Sequence, residues 1–172
     1  MREDSKNFSA QFFVLGTGPE LYRRSMYTFW KRSSPPPQMS TFDAPDRETC
    51  TVRRPRTNTP LQALILLNDP TYIEASRKLA ERLLNRTATD ADRVRWAFRL
   101  ATARTPSATE QTILLRILGQ QRAHYAADRA AAEKLLSTGE SSRDLTLDAA
   151  ELAAWTMLSS TILNLDETVT KG

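Results

Sequence analysis

Residues 59–85 read TPLQALILLNDPTYIEASRKLAERLLN, and this stretch decides the fold. Thr59 belongs to the residue types that cap helices, and Pro60 fits a first helical turn, where a missing N–H costs nothing. The pair Asp69–Pro70 repeats this signal within the same stretch. Apolar residues then recur at helical spacing up to residue 84. The stretch therefore predicts two consecutive helices.

The first of these helices is apolar on every side. It carries Leu61, Leu64, Ile65, Leu66 and Leu67 in a single short run. A helix that is hydrophobic all round is typical of a buried element. We therefore expect this helix to lie in the core.

Capping residues predict three more helices further along the chain, and the first of these begins near Thr89–Asp90. Ser107 and Glu110 have the spacing of a capping box, and Asp148 and Glu151 repeat that spacing before the last helix. The tract 126–136 either extends the fourth helix or forms a separate piece. The five predicted helices cover about residues 60–68, 70–85, 90–102, 107–125 and 149–164.

Prolines divide the chain into two unequal parts. All nine lie at or before Pro106, and seven fall between Pro35 and Pro70. Proline cannot continue a helix interior, and it biases the preceding residue towards extended geometry. We therefore expect a mainly α protein, a bundle of about five helices with an irregular, proline-rich N-terminal third.

Length and composition favour one domain. The chain has 172 residues, of which 40% are hydrophobic, and this is enough for a real core. The net charge of +4 permits an anionic partner without demanding one, and it does not favour nucleic acid. We interpret residues 1–19 as an incomplete upstream segment and residues 20–172 as a single helical C-terminal domain.

The N-terminal segment carries no signal-peptide pattern, and no apolar run in the chain is long enough to span a membrane. Four aromatic residues near the start lack an obvious partner in the sequence. If they normally meet upstream domains, they leave an exposed apolar patch or drive self-association. These residues are Phe12, Phe13, Tyr27 and Trp30.

The densest polar cluster precedes the first clear helix. Arginine side chains match carboxylate, phosphate or sulfate groups, and a helix N-terminus adds N–H donors and a partial positive charge. The cluster is therefore a candidate anion-binding site. Its members are Arg53, Arg54, Arg56, Thr57, Asn58, Thr59 and Gln62.

The alternative is that these arginines pair with Asp43, Asp46 and Glu48, which would hold the proline-rich loop on the helices. Ion-pair networks of this kind are commoner than ligand sites. We predict that Thr59 caps its helix and that at least one of the three arginines contacts one of the three acids. The spacing of the acids matches no calcium loop.

Cysteine and histidine each occur once, so no site built from several of them can form within the chain. Cys50 is interpreted as a buried, inert thiol and His124 as an exposed histidine. The sequence therefore predicts no metal site and no cofactor in this chain. No pattern of residues identifies a catalytic group.

A long tract resembles a known family. Residues 22–70, YRRSMYTFWKRSSPPPQMSTFDAPDRETCTVRRPRTNTPLQALILLNDP, resemble the planctomycete-specific domain one, a C-terminal domain of unknown function in large planctomycete-type proteins. The resemblance continues in AFRLATARTPSATE and QRAHYAAD, and it ends in ELAAWTMLSSTILNLDETVTK. It covers about residues 20–171.

The resemblance implies a context rather than a mechanism. Similar proteins carry a signal peptide, a cytochrome-c-like haem domain and a second uncharacterised domain upstream, so it implies a periplasmic or cell-envelope location and haem in an upstream domain. Two functions are compatible with it. The first is a non-catalytic interaction domain that packs on upstream domains, and the second is part of a glycan-acting enzyme that binds anionic polysaccharide around residues 43–62.

Overall fold

A computed structural model describes residues 18, 22, 30, 35–46, 48–53, 55, 57–86 and 89–170. Within these residues every regular element longer than a turn is an α-helix, so the protein is mainly α, as predicted. Phe12, Phe13 and Tyr27 lie outside the described residues. The helices are α1 (Pro37–Thr41), α2 (Pro60–Asn68), α3 (Pro70–Leu84), α4 (Asp90–Thr102), α5 (Ala108–Ala127), α6 (Arg129–Leu136), α7 (Ala149–Leu163) and α8 (Asp166–Val169).

All five predicted helices are confirmed as α2, α3, α4, α5 and α7, with ends within about two residues of the prediction. In the tract 126–136 the first two residues extend α5 and the rest forms a separate helix, because Asp128 ends α5 and its side chain accepts the Ala131 N–H to cap α6. The short helices α1 and α8 were not predicted.

Side-chain caps explain where the helices begin. Ser107 and Glu110 form the reciprocal capping box that their spacing predicts at the start of α5. Asp148 accepts the N–H groups of Ala150 and Glu151 at the start of α7. There the box is not reciprocal, because the Glu151 carboxylate bonds to other side chains.

Helix α7 is the centre of the bundle. Ten of its fifteen residues are buried, so it has almost no solvent-facing side. It contacts α3, α5 and α6 most extensively, and it also contacts α2, α4 and α8. The core forms where Trp155 and Leu158 of α7 meet Leu83, Phe98 and Leu118 of the surrounding helices.

Helix α2 does not lie in the core, and the prediction that it would was wrong. Gln62 is its only buried residue, whereas Leu61, Leu64 and Leu67 are 55%, 57% and 43% exposed. The reason is the cap at its start, because the capping box holds Gln62 towards the preceding loop. The three leucines, spaced three residues apart, therefore share an outward face.

Candidate functional site at the start of α2

The loop before α2 is held by a carboxylate. Asp43 has a left-handed backbone, with φ of 58°, which aspartate tolerates better than most residues. Its carboxylate accepts the Thr57 backbone N–H at 2.8 Å and the Thr57 hydroxyl at 2.8–2.9 Å. The two ends of the loop are therefore fastened together.

Gln62 completes this network from inside. Its amide nitrogen donates to the Thr41 carbonyl at 2.8 Å and to the Thr57 hydroxyl at 3.0 Å, and its amide oxygen accepts the Thr59 N–H at 3.1 Å. Thr59 in turn accepts the Gln62 N–H, so the predicted cap at Thr59 is confirmed. These polar groups are mutually paired and half-covered.

Two further contacts tie this region to the rest of the bundle. Asn58 donates to the Asp166 carboxylate at 2.5 Å, which joins the start of α2 to α8. Gln38 donates to Asp69, which joins α1 to the junction of α2 and α3. The proline-rich segment is thus attached to the helices at both ends of α2.

The arginine cluster is only partly described. Arg53 is exposed, and Arg54 and Arg56 lie outside the described residues. Asp43 contacts Thr57 rather than Arg53, and Asp46 accepts the Glu48 N–H at 2.9 Å. The predicted contact between the arginines and the three acids therefore stays a prediction, and so does the anion site.

The single cysteine and the single histidine of the chain are both exposed, and only the exposure of the histidine was predicted. Cys50 is exposed, so its interpretation as a buried thiol was wrong. The physical reason is that residues 48–53 form an exposed loop without regular structure. His124 is exposed as predicted, with its ring edge-on to Tyr125.

The α3 clamp, which we define as Glu74, Arg77 and Glu81, was missed by the sequence reasoning. Glu74 is 5% exposed, and its carboxylate accepts the N–H groups of Glu140 and Ser141 and the Tyr22 hydroxyl. Burial by itself would raise the Glu74 pKa, but these bonds and one from the Ser141 side chain outweigh it, so the pKa is about 2.

The other two members of the α3 clamp hold the same loop. Arg77 is 1% exposed and donates to the Ser141 carbonyl at 2.7 Å. Glu81 accepts the Asp144 N–H at 3.2 Å and the Lys78 ammonium at 2.8 Å. The spacing of 74, 77 and 81 places the clamp on one helix face, but charges at that spacing normally indicate a solvated face.

A second polar network joins α4, α5 and α7. Arg122 donates to both oxygens of Glu151, at 2.8 and 2.5 Å, and to Asp90 at 2.5 Å. Trp155 donates its indole N–H to Glu151 at 2.8 Å. The Arg122 hydrogen bond is the main reason that the Asp90 pKa lies below its ordinary value. This arrangement is that of a structural ion network.

A third polar area, which we name the Trp96 surface, lies on the outer side of α3 and α4. Its members are Arg82, Arg86, Trp96, Arg99 and Leu100. The guanidinium carbons of Arg86 and Arg82 lie 4.1 and 5.8 Å from the centroid of the Trp96 ring. All three arginines are exposed, and Leu100 is 48% exposed.

A cleft begins at the Leu100 end of this surface. Its volume is about 470 Å³, and its walls come from the end of α4 and from α8. Arg104 closes one side by pairing with Glu110 and Glu167. The lining residues are Leu100, Ala101, Thr102, Ala103, Arg104, Glu167 and Thr170.

Within the described residues, no group of three or more His, Cys, Asp or Glu side chains is arranged to hold a metal ion. None of the helices described there is both long and apolar enough to cross a membrane.

Comparison with known proteins gives a family match. The model of a family described as "PSD1: Protein of unknown function (DUF1553)" matches residues 4–118. The match begins earlier than the expected resemblance and ends within α5, before α7. No curated protein and no solved structure matches the chain.

Proposed function

The chain belongs to the PSD1 family of proteins of unknown function, and we propose that it is a non-catalytic interaction domain of a multidomain cell-envelope protein. In this proposal α2 packs against an upstream domain of the parent protein. Any haem belongs to such an upstream domain rather than to this chain.

The observation that carries the proposal is the outward face of α2. Leu61, Leu64 and Leu67 are about half exposed on one side of a helix that contains no charged residue. The central part of a protein interface is depleted of charge and enriched in apolar side chains. An uncharged, leucine-bearing face on an otherwise charged protein therefore fits a covered position better than an open one.

Burial of this face would favour association. Covering a fully exposed leucine is worth about 1.5–3 kcal/mol, so each half-exposed leucine offers about 1 kcal/mol. Interfaces between domains of one chain bury about 600–1,500 Å² and resemble transient protein–protein interfaces. The three leucines suit a contact between tethered domains, in which the linker offsets part of the entropic cost of association.

The test compares the unchanged chain with the double variant Leu61→Gln/Leu64→Gln. Sedimentation velocity measures self-association, and binding to an upstream domain from a multidomain family member measures docking. We expect the unchanged chain to bind the upstream domain, or to self-associate without it, and the variant to do neither. A monomeric unchanged chain that binds no upstream domain would refute the proposal.

The second candidate is a glycan-acting enzyme with an anion site around residues 43–62. The observation in its favour is that Arg53, in the loop before α2, is exposed. Thermal melting and binding of sulfated or carboxylated glycans would be measured for Arg53→Ala, Arg54→Ala and Arg56→Ala. Lost binding at unchanged stability favours this site, whereas lost stability without any ligand favours internal pairing of the arginines.

A further inference from the structure

We propose that the Trp96 surface binds an acidic, amphipathic helix of a partner protein. The proposal goes beyond the α2 contact, because it uses residues of α3 and α4 that lie outside α2. Either contact can therefore exist without the other.

The Trp96 surface is positively charged. No ion pair joins Arg82, Arg86 or Arg99 to a carboxylate in the part of the chain that the structure describes. The nearest acid along α4 is Asp92, which is held by Arg95 at 2.8 Å. The charges of Arg82 and Arg86, which both lie near the Trp96 ring, repel each other, and carboxylates from a partner would relieve that repulsion.

Two of these arginines have a spacing that a partner helix can match. Arg82 lies in the last turn of α3 and Arg86 lies four residues later, so helical geometry would place their Cβ atoms on one side about 5–6 Å apart. Both guanidinium carbons lie within 6 Å of the centroid of the same Trp96 ring. Carboxylates four residues apart on a partner helix have the same separation, so the two rows match.

The apolar side chains indicate a polypeptide rather than another polyanion. Trp96 and Leu100 are also four residues apart, and Leu100 opens into the cleft at the end of α4. Arg86 covers a Trp96 face at 4.1 Å, which hinders stacking of a base or sugar there. Tryptophan and arginine are residue types that are enriched in the hot spots of protein interfaces, and Leu100 adds an exposed apolar side chain beside them.

The test uses a labelled helical peptide of about 20 residues, a length that can form a stable helix in water. It carries glutamates four residues apart on one side and leucines on the other. Fluorescence anisotropy measures its binding to the full chain. Two exposed ion pairs contribute about 0.5 kcal/mol each, so Arg82→Gln/Arg86→Gln is expected to weaken binding roughly fivefold. Leu100→Gln is also expected to weaken it.

The matched control removes the same charge elsewhere. Arg116 and Arg129 are exposed on α5 and α6, so Arg116→Gln/Arg129→Gln lowers the net charge equally without touching the Trp96 surface. We expect this control and Leu61→Gln/Leu64→Gln to bind the peptide like the unchanged chain.

Three outcomes would overturn the proposal. The first is equal weakening by both pairs of arginine substitutions, which would indicate general charge attraction. The second is absence of peptide binding by the unchanged chain. The third is that binding of a sulfated polysaccharide or a single-stranded oligonucleotide depends on Arg82 and Arg86, whereas binding of the peptide does not depend on them.

Discussion

At the scale of single residues, Glu74 illustrates how burial and hydrogen bonding compete over one carboxyl group. Burial opposes its ionised form, but the Ser141 side chain, the Tyr22 hydroxyl and two backbone N–H groups favour it. The pKa falls from 4.5 to about 2. The ionised carboxylate therefore stabilises the folded protein, and it fixes the loop at Glu140 and Ser141 on α3.

We predict that Glu74→Gln lowers the free energy of unfolding at pH 7 by about 1–3 kcal/mol, because one carboxylate oxygen becomes an NH2 group and the donors that face it lose their acceptor. A carboxyl group with a lowered folded-state pKa stabilises above its unfolded pKa and loses this effect as pH falls through the folded pKa. The difference between the two proteins should therefore shrink as pH falls from 4.5 to about 2. Urea unfolding at several pH values measures it.

Glu133→Gln is the control for this prediction. The Glu133 side chain is 55% exposed and pairs with Arg143 at the surface, so the same substitution should cost little at any pH. A gap between Glu74→Gln and the unchanged protein that stays constant down to pH 2 would contradict the role given to Glu74.

Two glycines provide opposite tests of backbone and space. Gly139 has φ of 94°, and a Cβ there would overlap the Glu74 carboxylate, so Gly139→Ala should destabilise the protein by more than about 1 kcal/mol. Gly119 lies inside α5, and apart from its chain neighbours and the backbone of its own helix no atom lies within 4 Å of the place an alanine Cβ would take, so Gly119→Ala should stabilise the protein by about 0.5–1 kcal/mol. Thermal melting measures both changes in stability. Melting temperatures that shift in the same direction for the two variants would contradict the different roles given to Gly139 and Gly119.

At the scale of elements, α2 and α7 are similar in composition and opposite in position. Both are rich in apolar residues, yet α7 is buried along most of its length and α2 buries only Gln62. The difference comes from their neighbours, because α7 is surrounded by helices and α2 is attached through its cap and its contact with α3. Hydrophobicity alone therefore does not determine which helix lies inside.

The same substitution in both helices measures this difference. Leu158→Ala should cost about 2–5 kcal/mol, since Leu158 is fully buried in the core. Leu64→Ala should cost less than about 1 kcal/mol, since Leu64 is 57% exposed and alanine is a good helix former. Chemical unfolding of both variants, at a concentration at which the chain is monomeric, gives the two values. Equal costs would mean that α2 is covered in solution.

The sequence was informative where the signal is local. Caps such as Thr59, Ser107 and Asp148 act within one helical turn, so the five main helices were predicted with accurate ends. The burial of Glu74 was not predictable, because its partners lie 66 and 67 residues away along the chain. The candidate site was predicted as far as the Thr59 cap, whereas the link between Asp43 and Thr57 depends on a loop conformation that no local pattern encodes.

At the scale of the whole molecule, α7 holds the bundle together. It contacts α3, α5 and α6 extensively, whereas α1 and α2 lie at the edge. We predict that the amides of α7 exchange with deuterium only through global unfolding, and that those of α1 and α2 exchange faster through local opening. Hydrogen exchange followed by mass spectrometry measures this order, and slower exchange in α2 than in α7 would contradict it.

The place of α7 in the chain also affects how the protein is made. A ribosome releases α3, α4, α5 and α6 before α7, the helix that these four share as a packing partner. Until α7 emerges, the apolar faces of the four nascent helices have no common surface to cover, and exposed faces of this kind aggregate or attract chaperones. Slow synthesis between residues 137 and 163 would therefore prolong the most vulnerable period of biosynthesis, so the speed of translation in that interval should control the yield of soluble protein.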